Sequence, residues 1–245
     1  MIHVRNKNFL IFISLIHHYK RTTLRKILLF GILATIFILT GMSASGQIIK
    51  GTVIAGGNLT QVEGDETKGW RQFGFNGGLG AIIPFGKNRS WGFNIEALFS
   101  QKGSYQKAAF DDSITNEYRL RLNYFEVPLY FTYTDKDVVS FGLGGYFARL
   151  VSYNEYDNRG NNYPYSEYPE FHNMDYGFLI DAKVRIWKHL HFNLRYSQTL
   201  GFIRTMTFYP STGDPIERKQ LNQSIGLRFI YIFNEGSRAG EPPPR

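Results

Sequence analysis

His172 and Asp175 lie three residues apart, a pairing a hydrolase could use to activate a serine. His189 and His191 stand at i, i+2, where two imidazoles could share a metal ion. The rest of the chain completes neither pattern. No serine partner stands out for the first pair, which falls in a long polar stretch. The second falls at a short turn, with its two rings on opposite sides of any strand that begins there. No P-loop, G-x-S-x-G, H-E-x-x-H or dinucleotide fingerprint occurs. Cysteine is absent, which excludes disulfides, thiol catalysis, Cys-ligated metal and a lipid-modified N-terminal Cys. These residues point to no catalytic, metal or cofactor site.

A second set of charged residues follows a regular pattern. In "DYGFLIDAKVRIW" (175–187), Phe178, Ile180, Ala182, Val184 and Ile186 alternate with Leu179, Asp181, Lys183 and Arg185. Period two marks a strand with one apolar and one charged face. The same alternation sets Phe93, Ile95, Ala97 and Phe99 against Asn94, Glu96 and Ser100, and Phe125, Val127, Leu129 and Phe131 against Glu126 and Thr132. It also sets Phe192, Leu194 and Tyr196 against Asn193 and Arg195, and Leu227, Phe229 and Tyr231 against Arg228. Glu96, Glu126, Asp181, Lys183, Arg185, Arg195 and Arg228 thus share one face. Paired there, they form a structural network or line a conduction path.

The elements that position them are eight alternating segments, at about 48–59, 72–84, 91–102, 119–133, 139–152, 175–187, 189–203 and 221–233. Long polar connections at 60–71, 103–118, 153–174 and 204–220 alternate with short ones at 85–90, 134–138 and 188–189. Four long loops on one side and three tight turns on the other define an eight-stranded antiparallel up-and-down transmembrane β-barrel. Pro128 cannot donate to a ladder and predicts a bulge. Strands two and five carry Gly74, Asn76, Gly78, Gly80, Ser140, Gly142 and Gly144 on the polar face, small enough for a narrow interior. The apolar face therefore points to lipid and the charges inward. The rival is a soluble lipocalin-like barrel, turned the other way. An eight-stranded barrel is just wide enough for its own side chains to fill, which favours a plug over a pore.

Residues 1–46 read as a leader and a cleaved signal peptide. Lys20, Arg21, Arg25 and Lys26 precede the apolar run 27–40, and Ala44 and Gly46 occupy the −3 and −1 positions of a cleavage site. The apolar run is short of the roughly 20 residues a spanning helix needs. The leader is long enough to suggest a true start near residue 24. It holds six basic residues and no acid; removing those six from 28 leaves 22 basic against 20 acidic, a net charge of +2. The formal +8 gives no support to nucleic-acid binding. The barrel then occupies 47–233, followed by a Pro/Gly-rich tail, 234–245, that reads as disordered.

"NLTQVEGD" (58–65), "FGFNGGLG" (73–80), "NYFEVPLYF" (123–131), "FGLGGYFA" (141–148) and "SIGLRFIYIF" (224–233) together resemble the PorT-like outer-membrane β-barrel family over nearly all of 47–233. The resemblance implies a barrel in the outer membrane of a Gram-negative bacterium. Its namesake is associated with protein secretion, and it brings no catalytic motif. Ser224, Gly226, Phe229 and Tyr231 resemble the terminal barrel-assembly signal, which implies outer-membrane lipid and the barrel-assembly machinery as partners. Tyr153, Tyr156, Tyr163, Tyr165 and Tyr168 crowd the third long loop and make it a candidate contact surface for an envelope or secretion partner. The expected function is non-enzymatic, structural or accessory to envelope transport. A narrow porin and a lipid-modifying barrel enzyme are the alternatives.

Overall fold

Long alternating segments need a hydrogen-bonding partner along each edge. The computed structural model describes residues 49–65, 67, 69–86, 88–107, 117–157, 161–163, 170–208 and 214–235. In it every long strand has both partners. The strands are β1 (Lys50–Glu63), β2 (Gln72–Phe85), β3 (Trp91–Gln106), β4 (Tyr118–Asp135), β5 (Val139–Asp157), β6 (Asn161–Tyr163), β7 (Met174–Trp187), β8 (Leu190–Thr199), β9 (Arg204–Phe208) and β10 (Ile216–Ile232). Eight of them pair antiparallel in the order β1-β2-β3-β4-β5-β7-β8-β10, and β10 returns to β1. At the seam Ile54 lies opposite Gly78 on β2 and Ile230 on β10. No edge of the ring is left open, the only form in which strands can cross lipid.

The two faces separate as the alternation requires. Ile180, Phe131, Phe141, Leu143 and Phe147 project outward, each more than half exposed. Asp181, Glu126 and Arg228 are buried inside. Aromatics ring the tight-turn end: Trp91 packs on Phe85 and Tyr133 (ring centroids 6.4 and 5.1 Å), and Tyr231 on Phe233 (5.0 Å). That is the girdle expected at a membrane interface. The turns there are tight enough to force Lys136, Asp137 and Lys188 to positive φ (48°, 57° and 34°).

Three expectations need correction. Pro128 causes no bulge. The β3–β4 ladder lapses opposite Pro128 and resumes in the same register, because the ring removes one donor without adding a residue. On β4 the register shift lies instead at Asn123/Tyr124, where Val151 is the extra residue of β5; a second shift falls at Arg185/Trp187 on β7. The strands also run further on the long-loop side, β5 to Asp157 and β10 from Ile216. Last, the segment placed at 189–203 stops at Thr199. Residues 200–203 turn across the barrel end, with Ile203 donating its N–H to the Gln220 carbonyl and accepting from His172 N–H (both 2.8 Å). Ile203 and Phe171 are thereby buried among Val62, Leu120, Leu122, Tyr124 and Leu179 and close the long-loop mouth with an apolar cork.

Close approach demands glycine at two positions. A Cβ at Gly177 would meet the Gln198 carbonyl and lie 2.7 Å from the Tyr146 ring, which lies over this strand. Gly103 has φ +143° and sits against the Leu120 carbonyl, so a side chain there is excluded twice over.

Candidate functional site

Among the described residues the interior holds three charged layers. In the first, β3, β7, β8 and β10 each send one charged side chain into the same space. Arg195 donates from Nη1 to Glu96 Oε2 and from Nε to Asp181 Oδ2 (both 2.8 Å). Arg228 donates from Nη1 to Glu96 Oε2 (3.1 Å) and from Nη2 to Asp181 Oδ2 (3.2 Å). Asn193 ties the pair together, donating to Asp181 Oδ1 and accepting from Arg228 Nε (both 2.8 Å). Tyr130 donates to Glu96 and lies under the Arg195 guanidinium, 4.6 Å from its ring centre. Two guanidinium groups meet two carboxylates, and all four residues are at most 3% exposed. Planar forks suit this bidentate exchange.

The second layer is centred on Lys102, 2.9 Å from Glu126 and 3.3 Å from Asp175, with its ammonium over the Tyr146 ring at 4.1 Å. Asp175 also accepts from Thr199 (3.0 Å) and Asn222 (3.1 Å). The third lies at the long-loop mouth. Arg204 grips Glu155 with two hydrogen bonds (2.9 and 3.0 Å), Tyr118 donates to the same carboxylate (2.6 Å), and Phe171 lies under the guanidinium at 4.1 Å.

The structure distributes the sequence-derived charges differently from a single network. Glu96, Asp181, Arg195 and Arg228 meet. Glu126 belongs to the Lys102 layer. Arg185 is a correction: it sits at the tight-turn mouth, its side chain 31% exposed, paired with Glu235 at 2.9 Å. Lys183 is another: it is buried beside an inner-mouth cavity of about 40 Å³ lined also by Lys50, Ser140, His191 and Glu235, and among the described residues it forms no ion pair. The imagined histidine pairings do not form. Asp175 is interior, whereas His172 is exposed against the Phe202 ring (4.8 Å). His191 is buried and bonds Glu235 at 2.8 Å, while His189 lies against Tyr231.

Glu235 falls in the tail read as disordered, yet its carboxylate bridges Arg185 and His191. Partial burial pushes that carboxyl up, but contact with His191 and Arg185 outweighs it and holds the group below the usual glutamate range. A depressed acid stabilises the fold above its unfolded value, and the effect is lost as pH falls through the folded one. Proteolysis just after Phe233 is therefore expected to quicken on acidification in the wild type. In Glu235→Gln it is expected to be quick already and insensitive to pH. A flat wild-type profile would contradict the bridge.

Of the loop tyrosines, Tyr153 packs on Phe171 (5.0 Å), Tyr156 is exposed beside Arg119, and Tyr163 lies in β6, paired in register with Glu155. Tyr165, Tyr168 and residues 1–46 lie outside the described residues. In the assembly-signal stretch, Ser224 faces inward to Ser197 (3.2 Å), Gly226 comes close to Asn58, and Phe229 and Tyr231 project to lipid.

A closed antiparallel ring with an apolar girdled exterior and an ion-paired interior is an outer-membrane β-barrel. The outer membrane protein beta-barrel domain family model matches residues 48–204, and the chain belongs to that family. No curated protein matches the chain. Among solved structures it is similar to Ail, the attachment invasion locus protein of Yersinia pestis, with 13% identity, TM-score 0.41, and coverage of 78% of this chain and 100% of that one. It is also similar to OprG from Pseudomonas aeruginosa (12%, TM-score 0.39, 77% and 98%) and to Neisserial surface protein A (9%, TM-score 0.39, 75% and 95%).

Proposed function

We propose that the protein is a non-enzymatic outer-membrane barrel, accessory to envelope transport or protein secretion, that works through its long-loop surface and not through its lumen. One observation carries this: charged layers that pair with each other stand across the interior, and an apolar cork closes the outer mouth. A narrow porin would need a water path past Arg195 and Arg228, both buried against two carboxylates. The resemblance to PorT-like barrels supports the secretion-linked reading, and the terminal Ser224–Tyr231 pattern supports delivery by the barrel-assembly machinery.

The strands carry the presented surface beyond the lipid belt, as β5 with β6 and as β9 with β10. Because ring closure does not depend on residues 158–169, a short Gly/Asn linker in their place is expected to leave a folded, inserted barrel. Capture of the native envelope partner from cross-linked outer membranes is expected to be lost with that trimming. Undiminished capture would move the interaction elsewhere.

A further inference from the structure

On the outward face, the top of β4 and β5 departs from the apolar pattern. Arg149 is exposed toward lipid, between Phe147 and Val151 on its own strand and in register with Phe125 and Met174, each of which is at least half exposed. A guanidinium among such neighbours is costly unless its charge is answered. Among the described residues it has no carboxylate partner. One step further out, Gln101, Asn123 and Ser152 form a ladder across β3, β4 and β5, joined by hydrogen bonds of 2.9 Å each. The Ser152 hydroxyl accepts in that ladder and still has its own proton to donate.

Above the ladder stands Arg121, exposed, in register with Gly103 and Asn154, and likewise without a carboxylate partner among the described residues. Arg119 follows, over the Tyr105 ring at 4.8 Å and 3.4 Å from Glu117. Glu117, Arg119, Arg121, Asn154 and Tyr156 line a concavity of about 290 Å³. Four residues separate the level of Arg149 from that of Arg121, about 13 Å along the strand. An arginine side chain is long enough to reach the polar ladder from either level.

We propose that this face binds the phosphate-bearing headgroup of an outer-leaflet lipid. Two guanidinium groups without a carboxylate partner among the described residues supply the forked donors that phosphate fits, the ladder supplies neutral donors between them, and Phe125 and Phe147, below the ladder, accept acyl chains. The commitment to a lipid, not free phosphate, rests on Arg149, whose surroundings are reached only from the bilayer.

The test uses the full barrel in phosphatidylcholine nanodiscs doped with a diphosphorylated, multiply acylated disaccharide lipid or with its dephosphorylated counterpart. Lipid retained after mild detergent extraction is counted by native mass spectrometry. The wild type is expected to retain the phosphorylated form at least about tenfold better than the other, and Arg121→Gln/Arg149→Gln to lose about tenfold per arginine. Lys188→Gln, at the opposite rim, is expected to behave as wild type. Equal retention of both lipids by the wild type, unchanged retention by the double variant, or displacement by equimolar inorganic phosphate would overturn the proposal. The wild-type comparison decides even if the double variant fails to fold.

Discussion

Arg195→Ala is expected to destabilise the refolded barrel by about 3–5 kcal/mol, read as a shift in the urea midpoint of its heat-modifiable band. The residue is 3% exposed and answers both Glu96 and Asp181. Its removal leaves Arg228 facing two carboxylates alone, in a space too confined to hydrate them freely. The loss comes from the orphaned charge and not from the bond count. Replacing Glu96, Asp181, Arg195 and Arg228 together by apolar residues of similar volume should consequently cost far less than the single change. Lys188→Ala, at an exposed turn, is expected to stay within about 0.5 kcal/mol. Equal midpoints for Arg195→Ala and Lys188→Ala would contradict the buried network.

The lipid face gives the second large effect. Ile180→Arg is expected to cost about 2–4 kcal/mol in a bilayer, because Ile180 lies midway along β7, outward and half exposed. Val184 faces the same way, but it pairs with Val139 at the very start of β5, beside the tight turn. Arginine there reaches the interface and should cost much less. A gradient running the other way would mean that the lipid belt is misplaced along the strands.

Much of this architecture is legible in residue order, and the illegible parts have physical causes. Period two places Glu96 and Asp181 on one face, and the same count continues to Lys102 and back to Asp175, so the second layer could be found by carrying the alternation to the strand ends. Glu155 could not. Even-numbered β5 residues such as Ala148 and Leu150 face inward, but the extra residue Val151 shifts the count, so that Ser152 and Asn154 face outward and Glu155 inward. A register shift carries no mark in composition. Arg204 lies where the chain has already left β8 and re-entered as β9, beyond any continuous alternation. Phe171 looks like a loop residue by position and Ile203 like the end of the 189–203 segment, and the crossing of 200–203 over the mouth brings both inside. Glu235 sits in a Pro/Gly-rich tail whose composition hides a carboxylate with two partners, Arg185 and His191, to reach.

The proposed function rests on a lumen sealed by its own paired side chains. Current through single purified barrels in planar lipid bilayers tests it most directly. Insertion, verified by heat-modifiable migration and protease protection, is expected without resolved conductance steps at any applied voltage the bilayer withstands. Reproducible unitary steps that scale with salt concentration in the wild-type protein would show an open path past Arg195 and Arg228 and contradict it.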